Sequence, residues 1–335
     1  MQKRLKVLQY GLGSMGSKMV ELVLKKEGLE LVGAVVRKEK AGKDIGDILG
    51  WNKKLGIKGY TERDAFESLG ADVMLHAAVS YVTDVWKQIS GAVRAGINVI
   101  TIAEEMGYPF VKYPSLCNEM DNSARKHEVS ILGSGINPGF AMDYLPLALT
   151  GIVHSVTSIK VTRLVDFSPF GPAIQKNIGV GLTENQFRRG IIEGSLPGHI
   201  GLLESAHMTA HALGWKLDRT KETKTPVISN KPIKVPGYIT VQTGKVSGFD
   251  QKLSCYEKGK LRIVLEELGR VDPEIDYKNT IMINGKPNIV ECMSVPTGKL
   301  TTTAHAVNLI PVVYNAKPGL LTMLDLPVAP ALKDK

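Results

Sequence analysis

Over residues 1–140, short apolar runs alternate with longer stretches of helical period. Residues 5–10, Leu-Lys-Val-Leu-Gln-Tyr, read as a short buried strand. A glycine-rich turn follows, then a helical pattern over 14–27 that Gly28 ends, then a second apolar strand over 29–37. That is one strand–helix–strand unit. The alternation continues with strands at 72–77, 98–103 and 129–132, and with helices at 85–95, stopped by Gly96, and at 114–127. Such an alternation predicts α/β architecture, a doubly wound parallel sheet with helices on both faces. Ligands of such sheets bind beyond the carboxyl ends of the strands.

The pattern changes at Asn137-Pro138-Gly139. Strand-like stretches then dominate, at 156–165, 237–246, 261–268 and 281–283, with helices expected near 184–192 and 200–213. A last helical stretch covers 301–314 and has an apolar face. The expected organisation is a dinucleotide-type α/β domain over 1–140, an α+β substrate and dimerisation domain over 141–300, and a C-terminal helix and tail over 301–335 that packs back on the first domain. A chain of 335 residues suits two domains. No internal repeat or low-complexity segment interrupts it.

Composition narrows the class. At 43% hydrophobic and 22% charged residues, the chain can build a full core without disulfides. Cys117, Cys255 and Cys292 lie far apart, in no metal-ligand spacing, so no metal is expected and the thiols suit a reducing cytoplasm. The apolar run after Met1-Gln2-Lys3-Arg4 is short and broken by Gly11, Gly13 and Gly16, unlike a signal peptide. No apolar stretch reaches the ~18 residues of a membrane span. A cytoplasmic protein is therefore expected. The net charge of +9 is spread along the chain without a Lys/Arg block, which argues against nucleic acid and suits an anionic cofactor.

Gly11-Leu12-Gly13-Ser14-Met15-Gly16 fits GxGxxG directly after a strand and at the start of a helix. In that setting the pattern is the fingerprint of a Rossmann dinucleotide site. Gly11 permits the tight turn, Gly13 lets the backbone approach the pyrophosphate, and Gly16 lets helix and strand pack closely. The free N–H groups of the helix start, at Ser14, Met15 and Gly16, then face the phosphates. The second strand ends Val35-Val36-Arg37-Lys38, with no carboxylate until Glu39. Arg37 can clamp a 2′-phosphate with charge added by Lys38, Lys40 or Lys43, so NADP, or use of both NADP and NAD, is expected. As solvated loop charges they need no ligand. Ala77 and Ala78 are small residues at a strand end, where a nicotinamide ribose would pass or where close packing would require them.

Thr101-Ile102-Ala103-Glu104-Glu105 ends the next strand on the same side, and Thr101 is a candidate for contacting the cofactor there. One of the two carboxylates is expected to act as catalyst, holding an ammonium or iminium group and taking a proton from water. A solvated acidic pair is the alternative. Asn137, in Gly135-Ile136-Asn137-Pro138-Gly139, can reach the cofactor or substrate, or can belong to a simple hinge. His199 and His207 stand out in the second half, as structural histidines or as site residues. Arg163, Asp166, Arg188 and His199 are the candidates for binding the polar groups of a substrate. No Ser/His/Asp set occurs.

Val7-Leu8-Gln9-Tyr10-Gly11-Leu12-Gly13, Thr101-Ile102-Ala103-Glu104-Glu105-Met106, Gly135-Ile136-Asn137-Pro138-Gly139-Phe140 and Gly198-His199-Ile200-Gly201-Leu202-Leu203-Glu204-Ser205 resemble dihydrodipicolinate-reductase-like oxidoreductases. Within them, the chain is similar to the 2,4-diaminopentanoate dehydrogenases and the native amine dehydrogenases, over nearly its whole length. The resemblance implies reversible oxidative deamination of a small diamino acid at C4 with release of ammonia, a step of ornithine degradation. It also implies use of either nicotinamide nucleotide, a homodimer built on the second domain, and a catalytic glutamate, assigned first to Glu104 and second to Glu105. The His-His pair and the Ser-Gly-Thr-Ala segment of true dihydrodipicolinate reductases are absent, which argues against that activity. An amine dehydrogenase or imine reductase for another amine, and a non-catalytic NAD(P)H-binding sensor, are the alternatives.

Overall fold

The computed structural model describes residues 3–235, 237–272, 277–294 and 298–335. Met1 and Gln2, part of the basic start considered above, lie outside the described residues. The chain runs through β1 (Leu5–Tyr10), α1 (Ser14–Lys25), β2 (Leu29–Val35), α2 (Ile45–Leu49), β3 (Gly59–Tyr60), α3 (Glu62–Ser68), β4 (Val73–His76), α4 (Val82–Arg94), β5 (Asn98–Thr101), α5 (Pro114–Lys126) and β6 (Ser130–Gly133). It continues through α6 (Tyr144–Thr150), β7 (Ser155–Asp166), α7 (Pro172–Asn177), α8 (Glu184–Ile192), α9 (Leu202–Ala212), β8 (Arg219–Ile228), β9 (Ile233–Lys234) and β10 (Thr240–Val241). β11 (Val246–Glu257), β12 (Lys260–Arg270), β13 (Lys278–Lys286), β14 (Ile289–Met293), α10 (Gly298–Asn308), α11 (Ile310–Tyr314) and β15 (Gly319–Leu321) complete it. Two compact units result: Met1–Gly139 with Leu300–Lys335, and Phe140–Lys299.

In the first unit the strands form one parallel sheet in the order β15-β6-β5-β4-β1-β2-β3. All residues of β4, β5 and β6 are buried, as in a parallel sheet covered on both faces. Leu8, Met74, Val99 and Ile131 pack with Val85, Ile89 and Met120 of the helices. Polar residues in this core are satisfied: the Asn98 amide donates to Asp72 O at 3.0 Å and its oxygen accepts from Ser130 N at 2.9 Å. The strand order reverses between β1 and β4, where a crevice opens at the carboxyl ends.

The second unit is built on a mixed sheet, β14-β13-β7-β12-β11-β8, in which β7 and β12 are parallel and the other pairs antiparallel. Along β7, Ile159, Val161, Arg163 and Val165 are buried, while Lys160, Thr162 and Leu164 on the other face are half-buried. This is the period of two expected for a sheet with one covered face. α6 packs against β7 and β13, and α9 against β11 and β12.

Three sequence expectations differ from what is observed. The stretch 237–246 holds the short β10 and only the first residue of β11, because Lys245 N bonds to Gln242 O at 3.1 Å in a turn that Gly244 enters at φ +79°. β8 and β11 were not anticipated. The stretch 301–314 is two helices, because Pro311 has no N–H with which to continue the ladder of α10.

Candidate active site

The glycine turn after β1 is closed by packing that no larger residue permits. Gly11 has φ +86°, its N–H reaches Val35 O at 3.4 Å, and a Cβ on it would lie 2.7 Å from Ala77 O. A Cβ on Gly16 would lie 1.9 Å from Gly11 O. The buried Gln9 amide donates to the carbonyls of Tyr10 and Gly11, both at 3.1 Å. Gly13, the N-cap of α1, differs: a Cβ there meets nothing within 4 Å. α1 has no side-chain cap and no acid in its first turn, so the N–H groups of Ser14, Met15 and Gly16 are left for an anion. A cavity of about 710 Å³ opens beside them, lined by Tyr10, Gly11, Leu12, Gly13, Val35, Val36, Arg37, Lys40, Ile48, Glu62, Ala77, Ala78, Val79 and Gln88. These features fit a nicotinamide dinucleotide, with the pyrophosphate on the helix start and the adenosine half beside Arg37.

Within this group two sequence assignments need correction. Lys40, not Lys38, joins Arg37 in lining the cavity. The chain after Arg37 is a 3-10 turn, Lys38–Lys40, closed by Lys40 N to Arg37 O at 2.9 Å, and residues three apart in such a turn share a side. Thr101 is wholly buried, and its hydroxyl oxygen lies 2.8 Å from His76 Nδ1 while accepting from Ala103 N at 3.1 Å. His76 Nε2 lies 2.8 Å from Gln88 Oε1, and burial lowers the His76 pKa. A neutral imidazole that donates through Nε2 to Gln88 and accepts from the Thr101 hydroxyl satisfies all of these bonds. Thr101 thus holds His76 within the sheet and does not face a cofactor.

The two glutamates have separate environments. Both lie on the 3-10 turn Glu104–Gly107 that follows β5. Glu105 is 1% exposed, and its Oε2 accepts from Val82 N at 3.0 Å, the first residue of α4. Its Oε1 pairs with Lys112 and accepts from the Tyr113 hydroxyl at 3.3 Å, and its own N–H donates to Ser80 O at 3.2 Å. Burial works against the Lys112 charge, but the bonds to Glu105 and Tyr113 outweigh it and hold the ammonium above its usual range. Glu105 is therefore a clamp between the turn and the α4 N-terminus, with both carboxylate oxygens engaged. Glu104 is half-buried, and its carboxylate has no hydrogen-bond or ion-pair partner among the described residues. Gly133 makes this turn possible, since a Cβ there would lie 2.0 Å from Met106 O. Asn137 is 7% exposed and precedes Pro138, whose ring packs where a Gly107 Cβ would be, 2.7 Å away. The Asn137 segment and the Glu104 turn are thus packed together.

In the second unit the candidates separate. Arg163 is 6% exposed and bonds Glu267 at 3.3 Å. The two belong to a polar row that crosses five strands in register, Asn279–Arg163–Glu267–Gln251–Lys224. Gln251 grips His199 through both its main-chain N–H and carbonyl, at 2.8 Å each, and Lys224 donates to Pro197 O at 2.6 Å. The row therefore fixes the loop that carries His199, whose Nδ1 is buried without a hydrogen bond among the described residues. Asp166 accepts from Ser168 N at 2.7 Å and Asp272 N at 3.0 Å, which makes it a chain-turning acceptor and corrects its assignment to substrate. Arg188 forms a surface pair with Glu184 at 2.6 Å. His207 lies on α9, where burial lowers its pKa. Among the described residues no group of three or more His, Cys, Asp or Glu side chains could hold a metal, and no helix is long and apolar enough to cross a membrane. Glu62, Gln88 and Gln251 carry no sequence motif, and Tyr10 drew notice only as part of the strand before the glycine turn.

Comparison with known proteins places this architecture. The chain is 39% identical, over 98% of its length, to a 2,4-diaminopentanoate dehydrogenase from Acetoanaerobium sticklandii, 95% of which is covered. It is 23% identical over 96% of both chains to an amine dehydrogenase from Streptomyces virginiae. The structure of an amine dehydrogenase from Mycobacterium smegmatis superposes with a TM-score of 0.87 at 26% identity, covering 97% of each chain. Residues 5–100 match the dihydrodipicolinate reductase N-terminal family model. The class is thus an NAD(P)-dependent oxidoreductase acting on CH–NH2 groups. Residues 140–335 match the 2,4-diaminopentanoate dehydrogenase C-terminal domain, and the chain belongs to that family.

Proposed function

We propose that this enzyme catalyses reversible oxidative deamination of 2,4-diaminopentanoate at C4, giving 2-amino-4-oxopentanoate and ammonia within ornithine degradation. The observation that carries the reading is the full-length likeness to a 2,4-diaminopentanoate dehydrogenase. The chemical residue is Glu104, since Glu105 is held by Val82, Lys112 and Tyr113 while the neighbouring carboxylate keeps its lone pairs. Glu104 takes a proton from the substrate ammonium and passes it to solvent, so it is a carboxylate again for the next step. A nicotinamide bound at the helix start would supply the acceptor for the C4 hydride. Glu104 takes a proton from the water that attacks the C4=N carbon and hands it to the amine nitrogen; the C–N bond breaks as ammonia leaves, and the carbinol hydroxyl proton returns to Glu104. Arg163 and His199 stay the candidates for binding the polar groups of the substrate. Asn137 supports the cofactor side of the site. The half-buried face of the second unit's sheet forms the contact of a cytoplasmic homodimer.

The purified chain mixed with 2,4-diaminopentanoate and either NAD or NADP should give reduced nicotinamide and ammonia in equal amounts. A panel of mono- and diamines, with and without a carboxylate, separates this substrate from another amine. Turnover confined to amines lacking a carboxylate would remove the diaminopentanoate assignment.

A further inference from the structure

We propose that Glu62 is the carboxylate that reads the adenosine ribose of the cofactor, so that the pocket holds groups for both NAD and NADP. β2 ends without an acid, and Glu39, the first carboxylate after it, lies exposed in the 3-10 turn beyond Arg37. The neighbouring strand supplies one instead. Tyr10, Val35 and Tyr60 lie side by side at the ends of β1, β2 and β3. Two residues beyond Val35 is Arg37, and two residues beyond Tyr60 is Glu62. The same step past adjacent strand ends thus presents a cation and an anion, and both line the cavity with Lys40 and Gly11.

The Glu62 carboxylate is also oriented. The Tyr10 hydroxyl donates a hydrogen bond to its Oε1, and Oε2 has no partner among the described residues. Tyr10 is 8% exposed, and burial pushes its hydroxyl above the usual range, so it remains a donor at any working pH. A fixed carboxylate oxygen accepts from a ribose 2′- or 3′-hydroxyl, as a strand-end acid does in other dinucleotide sites. A 2′-phosphate in the same place meets it as a like charge, and is held by Arg37 and Lys40 instead. Glu62 therefore favours NAD and Arg37 favours NADP, within one pocket.

The proposal rests on this cavity being the cofactor site, and fluorescence titration of the full chain with NADH and NADPH tests the two separately. Glu62→Gln should weaken NADH binding about tenfold and leave NADPH binding unchanged or tighter, a loss of one charge-assisted acceptor. Arg37→Ala should do the reverse. Tyr10→Phe, which frees the carboxylate without removing it, should move the NADH constant in the same direction as Glu62→Gln but less. Competition by 5′-AMP and 2′,5′-ADP should follow the same split. If Glu62→Gln changes both nucleotides equally, or neither, the ribose assignment fails while the cofactor site stands. If the wild-type chain binds neither nucleotide, the cofactor site itself fails and the proposal with it.

Discussion

Exchanging the two adjacent glutamates, one at a time, separates a clamp from a catalyst. Glu105→Ala removes a side chain that is 1% exposed and leaves Val82 N–H without its acceptor at the start of α4. Loss of a helix cap of this kind costs about 1–2 kcal/mol. The ion pair with Lys112 adds less than its geometry suggests, about 1 kcal/mol or below, because the Lys112 side chain is 50% exposed and solvent screens it. With the small void that remains, the total is about 2–4 kcal/mol. At roughly 2–4 °C per kcal/mol for units of 150–250 residues, the melting temperature should fall by about 4–16 °C. Glu105→Gln keeps an oxygen for Val82 N–H and should lose only about 1 kcal/mol. Glu104→Gln touches no bond among the described residues, so its melting curve should match wild type, while turnover falls by about 10²–10⁴ with cofactor affinity retained. Differential scanning fluorimetry and steady-state kinetics on the three variants measure both quantities. The opposite pattern, a stable but inactive Glu105→Gln and an active Glu104→Gln, would refute the division of roles.

Three other outcomes are expected. Burial lowers the His305 pKa to about 4 from an ordinary 6.5, and His76 and His207 shift the same way. The folded state then binds fewer protons than the unfolded chain, so stability is full above pH 6.5 and is lost as pH falls towards 4. The His305 share is about 2 kcal/mol between pH 7.5 and 5, seen as a lower urea midpoint that His305→Gln flattens. Gly13→Ala should fold with a wild-type melting curve, since its Cβ enters open space, yet bind both dinucleotides at least about tenfold more weakly; Gly16→Ala, whose Cβ would be 1.9 Å from Gly11 O, should lose stability even without cofactor. Arg163→Ala leaves the fully buried Glu267 without this ion-pair partner and should destabilise the second unit by about 3–5 kcal/mol, measured by denaturant unfolding.

The first unit was legible because its signals are local. Strands buried on both faces give short apolar runs at the centres of β4, β5 and β6, and Gly11 and Gly16 are there because Ala77 O and Gly11 O leave no room for a Cβ. The second unit hid β11 because its covered face includes Gln251, and β8 because it is mostly polar and has no buried residue. Gln251, fully buried, lies between Glu267 and Lys224, and a hydrophobic pattern cannot report a row whose partners come from five separate strands. The same limit applied at the site. Sequence placed Glu104 and Glu105 at a strand end but could not say which faces inward, since that depends on Val82 and Lys112. Glu62 emerges from β3, a two-residue strand with no pattern of its own, and only pairing with β2 sets it beside Arg37. Arg37 itself was read from the missing acid, but which of Lys38, Lys40 and Lys43 joins it depends on the 3-10 turn, which sequence adjacency does not show.

The central claim is that hydride leaves C4 of a 2,4-diamino acid on this enzyme. Oxidation of 2,4-diaminopentanoate carrying deuterium at C4, followed by NMR of the recovered cofactor, measures it directly. The account expects one deuterium on the reduced nicotinamide ring and 2-amino-4-oxopentanoate as the product. Unlabelled reduced cofactor with deuterium retained in the product would place the oxidation at C2 and contradict it.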